Sequence, residues 1–163
     1  MGITTHYKQF TSTISPARFF KALVTDSHGL IPKAITWGIQ SIEFLEGDGG
    51  LGSIEQTNLV DGYHSGKLKY VKHRVDVMDV ENLRCKYTLI ECDVDFEKLD
   101  SVSYDFKFEA TPGGGSVCRM TRIYHVKAGC HLTGEELKEG KLSVYTLFKA
   151  VEKYLIAHPG ECA

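Results

Sequence analysis

Residues 39–60 read IQSIEFLEGDGGLGSIEQTNLV, and the fold turns on what the glycine-rich centre, Glu46-Gly47-Asp48-Gly49-Gly50-Leu51-Gly52-Ser53, connects. Gly47-x-Gly49-x-x-Gly52 satisfies the dinucleotide fingerprint, and Gly47-x-x-x-x-Gly52 has half of a P-loop. Both motifs must open a helix whose N-terminal N–H groups hold phosphate, and a P-loop also needs Lys followed by Ser or Thr. Here Ser53 and Ile54 follow, and residues 54–60 read as a strand. A strand also precedes the loop, through Ile39, Ile42 and Phe44. Gly47, Gly49, Gly50 and Gly52 therefore form a tight turn between two strands, where a missing Cβ permits the reversal. Nucleotide binding falls away.

The same period of two continues on the C-terminal side. Residues 68–77, 83–92, 102–110 (through Tyr104, Phe106 and Phe108) and 117–126 read as strands. They are separated by Asp61-Gly62 and Ser65-Gly66, a turn at 79–82, a polar bend at 93–98, and the hairpin loop Thr111-Pro112-Gly113-Gly114-Gly115. Short strands at regular spacing predict an antiparallel meander rather than βαβ units. Upstream, residues 3–12 form a further strand. Ser15 then caps a helix over 17–24, with Pro16 in the first helical position, where its missing N–H costs nothing. Asp26-Ser27 cap a second short helix over 28–34, which contains Pro32.

The last segment is helical. Thr133-Gly134-Glu135-Glu136 fits a capping box. Leu137, Gly140, Val144, Leu147, Phe148, Val151 and Leu155 then recur at steps of three and four, one wide apolar stripe. About 25 such residues make a rod of roughly 37 Å, long enough to lie across a curved sheet. His158-Pro159-Gly160 ends it. With no internal repeat, low-complexity tract or linker, residues 1–163 read as one domain.

Composition narrows the function. The chain has 42% hydrophobic and 25% charged residues and a net charge of −2, a globular profile without the clustered Lys and Arg of a phosphate-tracking surface. No nucleic-acid partner is expected. No run of about 18 apolar residues is present, so no membrane-spanning helix is expected. Residues 1–6 have neither a basic nor an apolar leader pattern, and the five cysteines include no C-x-x-C pair. These features predict reduced thiols in a cytoplasmic, monomeric protein.

Many segments, taken in order, resemble the plant class-10 pathogenesis-related proteins, the major birch-pollen-allergen family. The glycine loop 46–53 carries the resemblance most closely. Phe20-Lys21-Ala22, Leu30-Ile31-Pro32-Lys33, Tyr70-Val71-Lys72-His73-Arg74-Val75-Asp76 and Tyr87-Thr88-Leu89-Ile90-Glu91 match in register. Ala110-Thr111-Pro112-x-Gly114-Gly115-Ser116, Tyr124-His125 and Ala150-Val151-Glu152-x-Tyr154-Leu155 continue the match to the C-terminal helix. The resemblance implies an α+β helix-grip fold: a seven-stranded antiparallel sheet curved around the long C-terminal helix, two short supporting helices after strand one, and a large internal cavity. It also implies a defence and stress protein that binds amphipathic plant metabolites or hormones there, such as flavonoids, phenolics, cytokinins, steroids or abscisic-acid-like compounds. The location implied is cytoplasmic, with the nucleus as a second site.

By matched position, the resemblance makes Leu23, Ile31, Ile39, Leu59, Leu68, Tyr70, His73, Cys85, Tyr87, Tyr104, Phe106, Met120, Tyr124, Gly140, Ser143, Val144 and Leu147 ligand-binding candidates. Arg122 joins them because it shares a strand face with Met120 and Tyr124; it either places a guanidinium in the cavity, favouring an acidic ligand or a carboxylate partner, or snorkels out at the strand end. Cys85 replaces a frequent aromatic, which predicts a wider pocket on that side. Residues 61–69 carry a short insertion that would lengthen a rim hairpin.

The leading expectation is a non-catalytic carrier or sensor with no cofactor and no metal. One alternative is an enzyme of specialised metabolism using His73 and the cavity tyrosines for acid–base work. Another is a hormone receptor that inhibits a protein phosphatase, although the glycine loop occupies the place of the Ser-Gly-Leu-Pro-Ala gate. Ribonuclease activity in the family is attributed to a lysine after the glycine loop and to acidic and tyrosine residues. Glu152 and Tyr154 match and Asp100 stands for a glutamate, but Glu55 occupies the lysine position. No other cation in that set could stabilise a phosphorane, so this activity is not expected. His125, Cys130 and His131 lack zinc spacing and a fourth ligand.

Gly140 yields a test. Glycine in a helix interior costs about 1 kcal/mol relative to alanine, so its place on the apolar stripe implies space kept open for a ligand. Gly140→Ala should then stabilise by up to roughly 1 kcal/mol, and Gly140→Leu should fold normally yet bind bulky ligands poorly. Melting curves with a dye titration check both; a clearly destabilised Gly140→Leu of unchanged affinity would instead mark tight packing.

Overall fold

The computed structural model describes residues 2–61, 69–92 and 98–163, and of residues 135–143 the helical backbone alone. Seven strands form one antiparallel sheet: β1 (Gly2–Ser12), β2 (Ile39–Glu46), β3 (Ile54–Leu59), β4 (Tyr70–Asp79), β5 (Arg84–Cys92), β6 (Leu99–Ala110) and β7 (Ser116–Val126). Their spatial order is β1-β7-β6-β5-β4-β3-β2, a meander with β1 returned to pair with β7. Helices α1 (Pro16–Phe20) and α2 (Ser27–Ala34) carry the chain from one sheet edge to the other, and α3 (Gly134–Ala157) closes the fold. The expected architecture is present.

Bulges curve the sheet. The register slips between Val75 and Val77 on β4, between Ile39 and Ser41 on β2, and between Leu99 and Ser101 on β6. Each extra residue bends its strand and increases the local twist. The concave face is apolar, and β7 displays it most clearly. Ser116, Cys118, Met120, Arg122, Tyr124 and Val126 are all buried, whereas the residues between them from Arg119 onward are half-buried. The convex face is polar, with ion pairs such as Arg84–Asp105 at 2.8 Å and Lys72–Glu91 at 2.8 Å.

The glycine loop joins β2 to β3, as the reading of residues 39–60 requires. Gly47 and Gly49 have φ of 77° and 104°, a region that favours glycine. A Cβ on Gly47 would overlap the Ser53 hydroxyl, which accepts the Gly49 N–H at 3.0 Å. The Gly52 N–H donates to the Val75 carbonyl at 2.8 Å, tying the loop to β4.

Two local readings need correction. The first helix is not α-helical to residue 24: α1 ends at Phe20, and Lys21–Thr25 continue as a π turn. Its wider spacing is closed by the Asp26 N–H donating to the Lys21 carbonyl at 2.7 Å. Strand β6 also begins earlier than read, at Leu99, because Leu99 pairs with Val126 of β7. The turn at 62–66, Leu68, most of the polar bend at 93–98, and the Glu136 side chain of the capping box lie outside the described residues.

Aromatic packing fixes α3 on the sheet. The Phe148 ring lies between Phe10 of β1 and Phe19 of α1, stacked at centroid distances of 4.6 and 4.5 Å. Phe108 of β6 meets Phe19 at 5.8 Å and Phe20 edge-on at 5.9 Å. Val151 and Leu155 continue the buried stripe of α3. Arg18 of α1 completes the joint: its guanidinium donates to the carbonyls of Leu155, His158 and Glu161 at 2.8, 2.7 and 2.8 Å. Leu155 lies in the last turn of α3 and His158 and Glu161 just beyond it, so the guanidinium sits at the helix's negative end, where a cation is favourable.

The Phe148 sandwich should dominate stability. Phe148→Ala is expected to cost about 3–5 kcal/mol, the range for truncating a buried phenylalanine. Urea unfolding checks this; a loss under about 1 kcal/mol would mean that the stack does not anchor α3.

Candidate functional site

Between the concave face and the helices lies a cavity of about 240 Å³. Its sheet wall comprises Phe10 (β1), Ile42 (β2), Glu55 and Thr57 (β3), His73 (β4), Tyr87 (β5), Tyr104, Phe106 and Phe108 (β6) and Cys118 (β7). Leu23 and Val24 of the π turn, Ser27 and Ile31 of α2, and Val144, Leu147 and Phe148 of α3 complete the lining. The pleat brings residues from separate strands together, because alternate side chains share a face. An apolar wall with a few convergent polar groups is the makeup of a small-molecule site.

Of the residues expected from sequence, Leu23, Ile31, His73, Tyr87, Tyr104, Phe106, Val144 and Leu147 stand on this wall. Others are placed elsewhere. Cys85 and Met120 are fully buried in the packed core, so Cys85 does not widen the cavity. Ile39 packs on the same core, Leu59 is buried off the cavity wall, and the Tyr70 hydroxyl donates to Glu91 at 2.9 Å. Tyr124 belongs to a smaller cluster with Val102 and Val126. Arg122 does not snorkel outward. Its side chain is 1% exposed and donates to the Tyr124 hydroxyl at 2.7 Å, away from the cavity lining. Leu68 and the Gly140 and Ser143 positions lie outside what is described at side-chain level.

Glu55 was not expected as a pocket residue. It is 9% exposed, and β3–β4 register sets it directly opposite His73, with both on the cavity wall. Burial pushes the Glu55 carboxyl up to about 7 and His73 down to about 4, since each is favoured in its neutral form away from water. The His73 ring lies 5.8 Å from Tyr104 and 6.4 Å from Tyr87, edge-on to both. Burial also raises both tyrosine hydroxyls above their ordinary value. At neutral pH, Glu55 is thus the cavity group poised to change charge.

The residues weighed for ribonuclease chemistry have separate local roles. Glu152 pairs with Lys149 at 3.2 Å along the helix, while the Tyr154 hydroxyl donates to Glu161 at 3.2 Å and its ring stacks on His158 at 4.1 Å. Among the described residues, no group of three or more His, Cys, Asp or Glu converges in a metal-binding arrangement.

Comparison with known proteins gives a consistent picture. Residues 1–158 match the model of the Pathogenesis-related protein Bet v 1 family. The chain is 46% identical to the pathogenesis-related protein STH-2 of Solanum tuberosum, covering 98% of this chain and 97% of that one. It is 42% identical to the major allergen Pru ar 1 of Prunus armeniaca, with 98% of each covered. Among solved structures, Ara h 8.0201 aligns with a TM-score of 0.85 at 35% identity, over 96% of this chain and all of that one (100%). Norcoclaurine synthase of Thalictrum flavum shares the fold with a TM-score of 0.72 at 17% identity, over 96% of this chain and 88% of the synthase.

The two shifted groups act oppositely on stability. Between pH 4.5 and 7, Glu55 holds a proton in the folded state that the unfolded chain has lost, so its contribution to stability falls as pH rises. Between pH 4 and 6.5, folded His73 lacks a proton that the unfolded chain holds, so its contribution rises with pH. They offset each other where the windows overlap. Glu55→Gln should isolate the glutamate: equal to wild type near pH 4, and more stable by on the order of 3 kcal/mol at pH 8. Urea unfolding across pH checks this, and a difference that does not vary with pH would contradict a buried, titrating Glu55.

Proposed function

Because the chain belongs to the Pathogenesis-related protein Bet v 1 family, we propose that it is an intracellular defence- and stress-associated carrier or sensor. In this reading it takes an amphipathic small molecule into the cavity beneath α3. One observation carries the reading: an internal space of about 240 Å³ whose wall is aromatic and aliphatic, broken by a few polar groups. Apolar surface supplies the affinity, while Ser27, Thr57, His73 and the tyrosine hydroxyls orient the ligand's polar end.

Catalysis is the second reading, favoured by the titratable groups on the cavity wall. His73 is poorly suited to it, since a base that protonates near pH 4 binds protons weakly at neutral pH. Glu55, near 7, is the group matched to general acid–base work. Norcoclaurine synthase, an enzyme of the same fold, gives this alternative a precedent in architecture only.

A neutral, environment-sensitive apolar dye should bind at about one site per chain with roughly micromolar affinity, and flavonoid-like phenols should displace it. Failure of both to bind folded protein would remove the carrier reading. Incubation with a plant metabolite extract, followed by mass spectrometry, separates the alternatives: a carrier retains a compound unchanged, whereas an enzyme depletes it and yields a product.

A further inference from the structure

The cavity wall holds a buried carboxylate for which the described protein supplies no partner. Glu55 is 9% exposed, and no hydrogen bond or ion pair reaches it from another described residue. Burial is the sole cause of its shifted titration, with no neighbouring charge contributing. Burying an acid this way costs stability unless something compensates it. His73 stands opposite on β4, also buried and neutral at physiological pH, and it offers one ring nitrogen as an acceptor. Residues facing each other across an antiparallel pair have Cβ atoms roughly 4.5–5.5 Å apart, room for a small donor group to sit between their tips. The Tyr87 and Tyr104 rings flank the same imidazole.

We propose that Glu55 and His73 form a cation-recognising subsite in the cavity wall, and that the ligand is an amphipathic amine, an apolar ring system carrying a protonated nitrogen. The inference rests on the carrier reading above and narrows its ligand class. An ammonium has three N–H donors, which match the Glu55 carboxylate, the His73 ring nitrogen and a tyrosine hydroxyl. A bare metal ion fits less well. Two side-chain ligands are too few for a protein metal site, and the surrounding phenylalanines and leucines require an occupant with an apolar body. Where Glu55 is ionised, a carboxylate ligand would face it across a poorly screened space and be disfavoured. Arg122, which could have favoured an acid, is bonded to Tyr124 and lies off the cavity wall.

The groups that face Glu55 leave it as the switch near neutral pH. His73 from β4 stands opposite it, Cys85 and Tyr87 from β5 feel its charge, and Tyr104 from β6 and Cys118 from β7 share the cavity wall with it. Burial keeps all of these uncharged around pH 7. The π turn, α2 and the described part of α3 present no charged side chain to the cavity. Amine affinity should therefore fall as the carboxylate is protonated.

The test uses the full chain and a matched pair of probes, 2-(naphthalen-2-yl)ethylamine and 3-(naphthalen-2-yl)propanoic acid, competed against a neutral dye. At pH 8 the amine should bind roughly tenfold or more tightly than the acid. Glu55→Gln, which preserves the side-chain shape, should bring the two to within about threefold of each other, each competed against the dye at that variant's own dye affinity. Wild-type affinity for the amine should drop roughly tenfold or more between pH 8 and pH 5.5, a measurement that needs no variant. Loss of dye binding by folded wild-type protein would overturn the carrier reading and this inference together. Dye binding with an amine-to-acid ratio near one, or a ratio or pH dependence unaffected by Glu55→Gln, would overturn this inference alone.

Discussion

The Phe10–Phe148–Phe19 sandwich holds the molecule in its working shape. A long helix laid against a curved sheet cannot touch it everywhere, and the stack decides where contact is made. Phe148 is fixed between a sheet residue and an α1 residue, and Arg18 of α1 binds three carbonyls at the end of α3. Helix, sheet edge and α1 thereby become one rigid corner. On the N-terminal side of Phe148, Val144 and Leu147 pack against the core and also reach the cavity, as Phe148 does. The cavity lies between the curved sheet, the π turn, α2 and the described part of α3, beside this corner.

Clamping divides the interior chemically. The core cluster that contains the sandwich includes the fully buried Phe19, Phe20, Cys85, Met120, Val151 and Leu155. On the cavity wall, the inward positions carry Glu55, Thr57, His73, Tyr87 and Tyr104, which bring polar atoms to an apolar space. Along any one strand the change takes only a few residues. On β6, both Phe108 and Tyr104 reach the cavity, Phe108 from the buried aromatic corner and Tyr104 from beside His73. On β5, Cys85 is core and Tyr87 is wall.

That gradient explains which parts of the molecule were legible in the sequence. Strand period, the glycine loop and the apolar stripe of α3 are local signals, and each led to the observed element. The wall of the cavity was half legible. Leu23, Ile31, Tyr87, Tyr104, Phe106, Val144 and Leu147 are apolar or aromatic and stand where the family pattern implies, as does the polar His73. Cys85 and Met120 share a strand face with wall residues, and period alone cannot say how far along a strand the cavity ends. Phe108, Cys118 and Phe148 lay on faces already read as inward; Phe10 needed the β1–β7 pairing to bring it round. The π turn at Lys21–Thr25 buries Ala22 and Val24, and single-sequence propensity does not separate such a turn from an α-helix.

Glu55 was missed for the opposite reason. A glutamate in a strand is read as facing water because burying it is costly, and that rule holds for most glutamates. Here β3 is short, and Gln56 and Asn58 occupy the outward positions, where they hydrogen-bond each other at 2.8 Å. Alternation then leaves Glu55 and Thr57 no face but the inner one. The register, more than the residue's own preference, places the carboxylate inside. A fold whose stability rests on the aromatic corner can carry that cost at the opposite end without losing its shape. His73 does not reduce that cost; it flattens the pH dependence, since the two groups respond to pH in opposite directions between pH 4.5 and 6.5. A buried acid that survives on the wall of an otherwise apolar cavity is therefore a statement about what the cavity is shaped to hold, because packing alone would be better served by a leucine.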